Sequence, residues 1–253
     1  MGVAAARRAV LREALDQVLA NVSGALAGKD PEYLHQLRVG TRRLRAALRV
    51  FRGTMRRAEE RALERTLRAL AKVTGPARDW DVNLRRLPAA LRPAAVRRQR
   101  AAHERLRRVL GAMQLWMLPR GLAASHPDLP TFAGEILEDL EHKALRRGRD
   151  MDWSRPHRRH ALRVRLRRLR YASEFLSGAF PGRDSEPLVH ALKHLQDLLG
   201  ELNDMEVTRR LLRELRGTGA RRAPGRRERE LIAMLPTGWR GFASAPRFWR
   251  PAP

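Results

Sequence analysis

The chain has no cysteine, so disulfides, a thiol nucleophile and a zinc-thiolate site are all excluded, and the composition suits a reducing interior. Lysine is nearly absent: Lys29, Lys72, Lys143 and Lys193 are the only four among 53 basic residues. Acidic residues number 27, which leaves a formal charge of +26. A folded state with that surplus works against its own repulsion, and a polyanionic partner relieves it. Aromatic residues are scarce, with two Tyr and six Phe, so stacking platforms for unpaired bases are few. No long hydrophobic run exists either. The longest mainly apolar uncharged stretch, residues 109–119, falls short of the ~20 residues that cross a bilayer. The opening MGVAAARRAVLREALDQ reads as an amphipathic helix and not as a signal peptide. These absences predict a soluble, unexported, cytoplasmic protein with no membrane partner.

What is there is a repeat. Residues 35–45, HQLRVGTRRLR, and residues 160–170, HALRVRLRRLR, agree at eight of eleven positions with an offset of 125. The same offset aligns GPARDWDV (75–82) with GELNDMEV (200–207), pairing Gly75 with Gly200, Asp79 with Asp204, Asp81 with Glu206 and Val82 with Val207. A register kept across two blocks marks a duplicated structural unit. It predicts one domain over 1–253 made of two similar halves, 1–118 and 131–253. The proline-rich stretch 119–130 is the candidate seam.

Apolar residues recur at spacings of three and four, and alternating runs are missing, so the fold class is all-α. Predicted helices cover residues 3–26, then 31–52 behind an Asp30-Pro31 start, and 55–73 ending at Gly75-Pro76. A short helix capped by Asp79 and one over 93–110 follow. The second half repeats the plan with helices over 131–147, 155–180, 185–199 ending at Gly200, 203–216, and a short one through Met234. The final PTGWRGFASAPRFWRPAP looks loop-like, with Trp239, Phe242, Phe248 and Trp249 expected to dock on the body as a clasp. Trp80, Trp116 and Trp153 read as core.

On a helical wheel at about 100° per residue, His35, Arg38, Arg42, Arg45, Arg49 and Arg52 form one narrow stripe. Leu34, Leu37, Leu44, Leu48 and Phe51 flank it on one side, and Val39, Ala46 and Val50 on the other. An ordinary solvated face puts its charge opposite a single apolar stripe, so this bracketing points to a basic groove. The second copy sets His160, Arg163, Arg167 and Arg170 between Leu162, Leu166, Leu169 and Val164, Tyr171, Phe175. A bias towards GC-rich coding accounts for most of the preference for Arg over Lys, but not for this spacing. Cations drawn into a partly desolvated groove need anions. The pairs Asp79/Asp81 and Asp204/Glu206 are expected to bond some arginines while capping short helices, but four carboxylates are too few to neutralise both rows. Planar guanidinium forks repeating every ~5.4 Å form a ladder for a chain of phosphates. His35 and His160 add donors to it. Arg43 and Arg168 lie off the stripe and read as solvated or paired; Lys193 and His194 are further candidates for the groove lining. His103, His126, His142, His157 and His190 show no metal-binding spacing, and no cofactor motif is present.

At HQLRVGTRRLRAALRVF and HALRVRLRRLRYASEF the chain resembles the conserved-histidine α-helical domain (CHAD) family, and the likeness continues through GPARDWDV, LQDLLGELND and PRFW. The resemblance implies two four-helix bundles related by pseudo-twofold symmetry around a basic central cavity. It also implies binding of inorganic polyphosphate and association with polyphosphate granules, and the leading reading is that this binding is non-catalytic. Carried over by position, the binding residues are His35, Arg38, Arg42, Arg45 and Arg49 in the first half, and His160, Arg163, Arg167, Arg170 and Tyr171 in the second. Two positions break the symmetry: Arg49 aligns with Glu174, and Arg78 with Asn203.

Two other functions compete. The surplus charge suits nucleic acid, although no RNA-recognition motif or helix-turn-helix is present. Relatives of the family are often fused to a triphosphate tunnel metalloenzyme domain, whose Glu-x-Glu-x-Lys strand is missing here. Glu228, Arg229 and Glu230 are followed by Leu231 and Ile232, without a lysine, and there is no Walker loop or metal dyad, so the chain is read as no enzyme.

Overall fold

The computed structural model describes residues 2–113, 128–216 and 224–251. Trp116, His126, Gly217, Gly219 and most of the 119–130 stretch lie outside them. Among the described residues every regular element is helical, which agrees with the all-α reading. None of the described helices is long and apolar enough to cross a membrane. The chain divides into two compact units, Met1–His126 and Pro127–Pro253.

The first unit contains α1 (Val3–Leu19), α2 (Val22–Ala27), α3 (Pro31–Val50), α4 (Arg57–Asn83) and α5 (Arg92–Gly111). α3 packs against α1, α2 and α4, and α5 packs against α4 and α2. Their shared core draws Val18, Ala25, Leu34, Leu37, Leu70, Val73, Ala77, Leu106 and Leu110 from all five helices. The single helix predicted over 3–26 is broken at Asn21. Its side-chain amide donates to the Gln17 carbonyl at 2.7 Å, taking the acceptor that its own backbone N–H needs to continue the helix. α3 starts as read: the Asp30 carboxylate accepts from the Glu32 N–H at 2.8 Å, and Pro31 occupies the first turn.

α4 does not stop at Gly75-Pro76. It runs on to Asn83, because Ala77, Trp80 and Asn83 beyond the proline are buried at helical spacing. Burying Trp80, the one large apolar side chain among them, contributes roughly 1.5–3 kcal/mol, which together with Ala77 offsets most of the ~3 kcal/mol cost of an interior proline. The same correction applies to the second unit, where the two helices predicted over 185–199 and 203–216 are one.

The second unit is α6 (Leu129–Gly148), α7 (Pro156–Leu176), α8 (Glu186–Arg216) and α9 (Arg226–Ser244). Successive helices pack against each other in the order α6, α7, α8, α9. α8 passes through Gly200 with Leu198, Leu199 and Leu202 buried around it. The acidic pairs therefore lie inside long helices and cap nothing. α9 also overruns its predicted end at Met234: it continues through Pro236 because Leu235, Gly238 and Phe242 are buried at spacings of three and four. Within the described part of the final stretch, only residues 245–251 are irregular. There Phe248 meets Phe180 edge-on at 5.6 Å, Trp249 Nε1 donates to Glu138 at 3.0 Å, and Arg247 Nε donates to Glu141 at 2.6 Å. The offset of 125 extends into this helix, since Leu106 and Leu110 of α5 correspond to Leu231 and Leu235 of α9, and all four are buried.

Candidate functional site

On α3, His35, Arg38, Arg42, Arg45 and Arg49 are half-buried and Arg52 is exposed. Leu34, Leu37, Leu44 and Leu48 on one flank and Ala46 and Val50 on the other are buried, so the arginines lie along a seam between packed surfaces. α4 contributes the floor. A Cβ on Gly75 would stand 3.2 Å from Arg38 Nη1, so glycine at this position lets the guanidinium lie against the α4 backbone. Burial, aided by the charges of Arg42 and Arg78, draws the pKa of Arg38 below its ordinary value against the attraction of Asp79. Arg42 Nε is enclosed with no hydrogen-bond partner.

Arg78 is a member of this face that the helical wheel of α3 could not contain. It reaches from α4 to donate to the Pro31 carbonyl at 3.1 Å. Burial first, then Arg78, hold the His35 pKa below the usual histidine value; Arg42 and Arg38 add to this and Glu32 opposes it. A signal for Arg78 existed: it follows Gly75 by three residues, and residues three apart share a helix face.

The α7 face is built on the same plan with different ends. Arg163 and Arg167 are half-buried. A Cβ on Gly200 would lie 3.9 Å from Arg163 Nη2, which repeats the relation of Gly75 to Arg38 more loosely. His160 is exposed, and its Nδ1 is 3.3 Å from Asn203 Oδ1, where the first unit has Arg78. Arg170 is held from three sides. Its Nη1 pairs with Glu174, its Nε donates to Gln196 at 3.2 Å, and its guanidinium lies 4.6 Å from the centre of the Tyr171 ring. Tyr171 is itself buried and stacks on Phe175 at 6.0 Å.

The remaining candidates separate clearly. Arg43 pairs with Glu13 at 2.6 Å, away from the seam. Lys193 and His194 are both exposed on α8; Lys193 shares the helix side of Gln196 and Gly200, whereas His194 approaches Gly238 of α9. Asp81, expected to bond arginine, instead accepts from Gln99 at 2.7 Å and from His103 Nε2 at 2.9 Å. Glu206 does pair with arginines, Arg209 at 3.3 Å and Arg213 at 3.2 Å. Among the described residues no cluster of three or more His, Cys, Asp or Glu is placed to hold a metal ion.

A cavity of about 530 Å³ near the start of α3 is lined by Arg85, Arg100 and Arg107 but also by Asp30, Asp81 and Glu104, so its charges balance. Net positive charge in a sheltered place is found on the α3 seam. Guanidinium groups are permanent donors, and a row of them with few carboxylates binds anions.

A family model described as the CHAD domain matches residues 9–213. The crystal structure of the CHAD domain from the plant Ricinus communis is similar at 27% identity and a TM-score of 0.71, over 98% of this chain and 93% of that one. PptA from Streptomyces chartreusis is similar at 16% identity and a TM-score of 0.66, over 96% of this chain and 98% of that one, a likeness of fold. No curated protein matches the chain. The doubled arginine seam, the glycine beneath each copy and the match over residues 9–213 have one explanation: this chain belongs to the CHAD domain family.

Proposed function

We propose that the protein binds inorganic polyphosphate without turning it over, along the arginine seam of α3 and its counterpart on α7, and that this binding holds it on polyphosphate granules in the cytoplasm. The observation that carries the proposal is the desolvated, like-charged surrounding of Arg38: burial, Arg42 and Arg78 all disfavour its charge, and Asp79 answers only in part. A linear polyanion removes that repulsion along the whole row, and its single file of phosphates suits a single file of guanidiniums. The same proposal includes two bundles related by a pseudo-twofold axis that share one basic cavity, as the family resemblance implies.

Binding of this kind releases counterions, so its affinity falls steeply with salt. Replacing Arg38→Glu together with Arg163→Glu is expected to weaken long-chain polyphosphate binding by at least about tenfold, ~1.4 kcal/mol, and to flatten the dependence on salt. Calorimetric titration at two salt concentrations reads both effects. Unchanged affinity in a variant that still melts like the parent would place the ligand elsewhere. Phosphate released in the presence of magnesium or manganese would overturn the non-catalytic reading.

A further inference from the structure

α5 carries a second concentration of positive charge, organised unlike the first. Its 20 residues hold seven arginines against one acid, Glu104. Ala95, Leu106 and Leu110 face the core. Around the rest of the wheel Arg107, Arg100, Arg97, Arg108, Arg105 and Arg98 follow one another over roughly 180°, and all six are exposed. Among the described residues, no hydrogen bond or ion pair reaches Arg97, Arg100, Arg105 or Arg108. An arginine-rich composition does not by itself explain this, because the corresponding helix of the second unit carries four arginines and pairs two of them with carboxylates. On α9, Arg226 pairs with Glu230 at 2.9 Å and Arg227 with Glu201 at 2.8 Å.

The shape of the charge selects the partner. α5 has no aromatic residue, so it offers no platform for unpaired bases. Its arc is filled out by Pro93, Ala101, the half-buried Ala94 and one carboxylate, Glu104, between Arg100 and Arg97, with nothing large and apolar to enter a bilayer. A single chain of phosphates needs one file of cations, whereas a duplex presents two rows of phosphates bordering a groove. Cations on both flanks of one helix meet both rows. The major groove of B-form DNA is about 12 Å wide and admits an α-helix, while the corresponding groove of A-form RNA is too narrow.

We propose that α5 is a sequence-independent docking surface for the phosphate backbones of double-stranded DNA, separate from the polyphosphate seam. The test uses the full chain with Arg97→Gln, Arg100→Gln and Arg108→Gln combined, all solvent-facing and in a residue type that keeps helix propensity. Fluorescence anisotropy with a labelled 24-base-pair DNA duplex is expected to show at least tenfold weaker binding. Its log–log salt slope should be shallower by about 2.7, which is ~0.9 for each lost phosphate contact. Polyphosphate affinity should stay within twofold of the parent. The Arg38→Glu, Arg163→Glu variant should show the reverse pattern, so failure of either site is read separately. Duplex binding that is absent in the parent, unaffected by the α5 substitutions, or lost in parallel with polyphosphate binding would overturn the proposal.

Discussion

His35 is the most informative side chain of the α3 seam because the field around it changes sign when an anion arrives. In the free protein, burial and then Arg78 push its pKa below the ordinary value of 6.5, so the ring is neutral at pH 7. The sign for folding follows: a histidine held neutral by the fold makes protonation at acid pH a cost to the unliganded protein. A bound polyphosphate reverses the preference. The His35 pKa is expected to rise on addition of polyphosphate, and affinity to increase as pH falls through the usual histidine range near ~6.5. Titrating the ring proton resonance by NMR with and without polyphosphate checks this, and a pKa that stays put or falls would remove the ligand from the α3 seam. His160 provides an internal comparison, being exposed and facing Asn203 in place of an arginine.

Whole helices show where local rules hold and where packing overrides them. The start of α3 obeys Asp30-Pro31, but the α4 and α9 helices run straight through Pro76 and Pro236, because the turns beyond each proline bury apolar side chains. The end of α9 depends in turn on a close approach to α6. A Cβ on Gly148 would lie 2.1 Å from the Trp239 ring, which already packs 6.3 Å from Trp153 and 5.3 Å from Phe242 between ring centres. Gly148→Ala is therefore expected to destabilise the protein by about 1–3 kcal/mol, the usual cost of overpacking. Gly241→Ala, on the same α9 but with nothing within 4 Å of the new methyl, should be neutral or stabilising by up to ~1 kcal/mol. Urea denaturation of the two variants separates them, and equal stability would mean that the Trp239 ring moves aside without cost.

For the molecule as a whole, the formal charge of +26 is less telling than its uneven division between two units of one ancestry. The first unit adds Arg78 at one end of its seam and Arg49 at the other. The second has Asn203 and Glu174 at those places, and Glu174 holds Arg170 inward. Polyphosphate should therefore be held more strongly by the first unit. Glu174→Arg restores the residue of the first copy and removes the carboxylate that neutralises Arg170. It is expected to tighten polyphosphate binding at low salt and steepen the salt slope by about 0.9–1.8, one or two further phosphate contacts. Titrations across a salt series check this; weaker or unchanged binding would show that the α7 row takes no part.

Helical periodicity and duplication are properties of neighbours along the chain, set by 3.6 residues per turn and by a constant offset, so the helix class, the arginine row and its second copy could be read without coordinates. Which groups meet across helices could not. Arg78 beside His35, Gln196 on Arg170 and His103 on Asp81 join residues on different helices, and each contact depends on how two cylinders pack. For the same reason the helix ends at Pro76, Gly200 and Pro236 were misplaced: a local breaker carries a local cost, and only burial by another helix decides whether the chain accepts it.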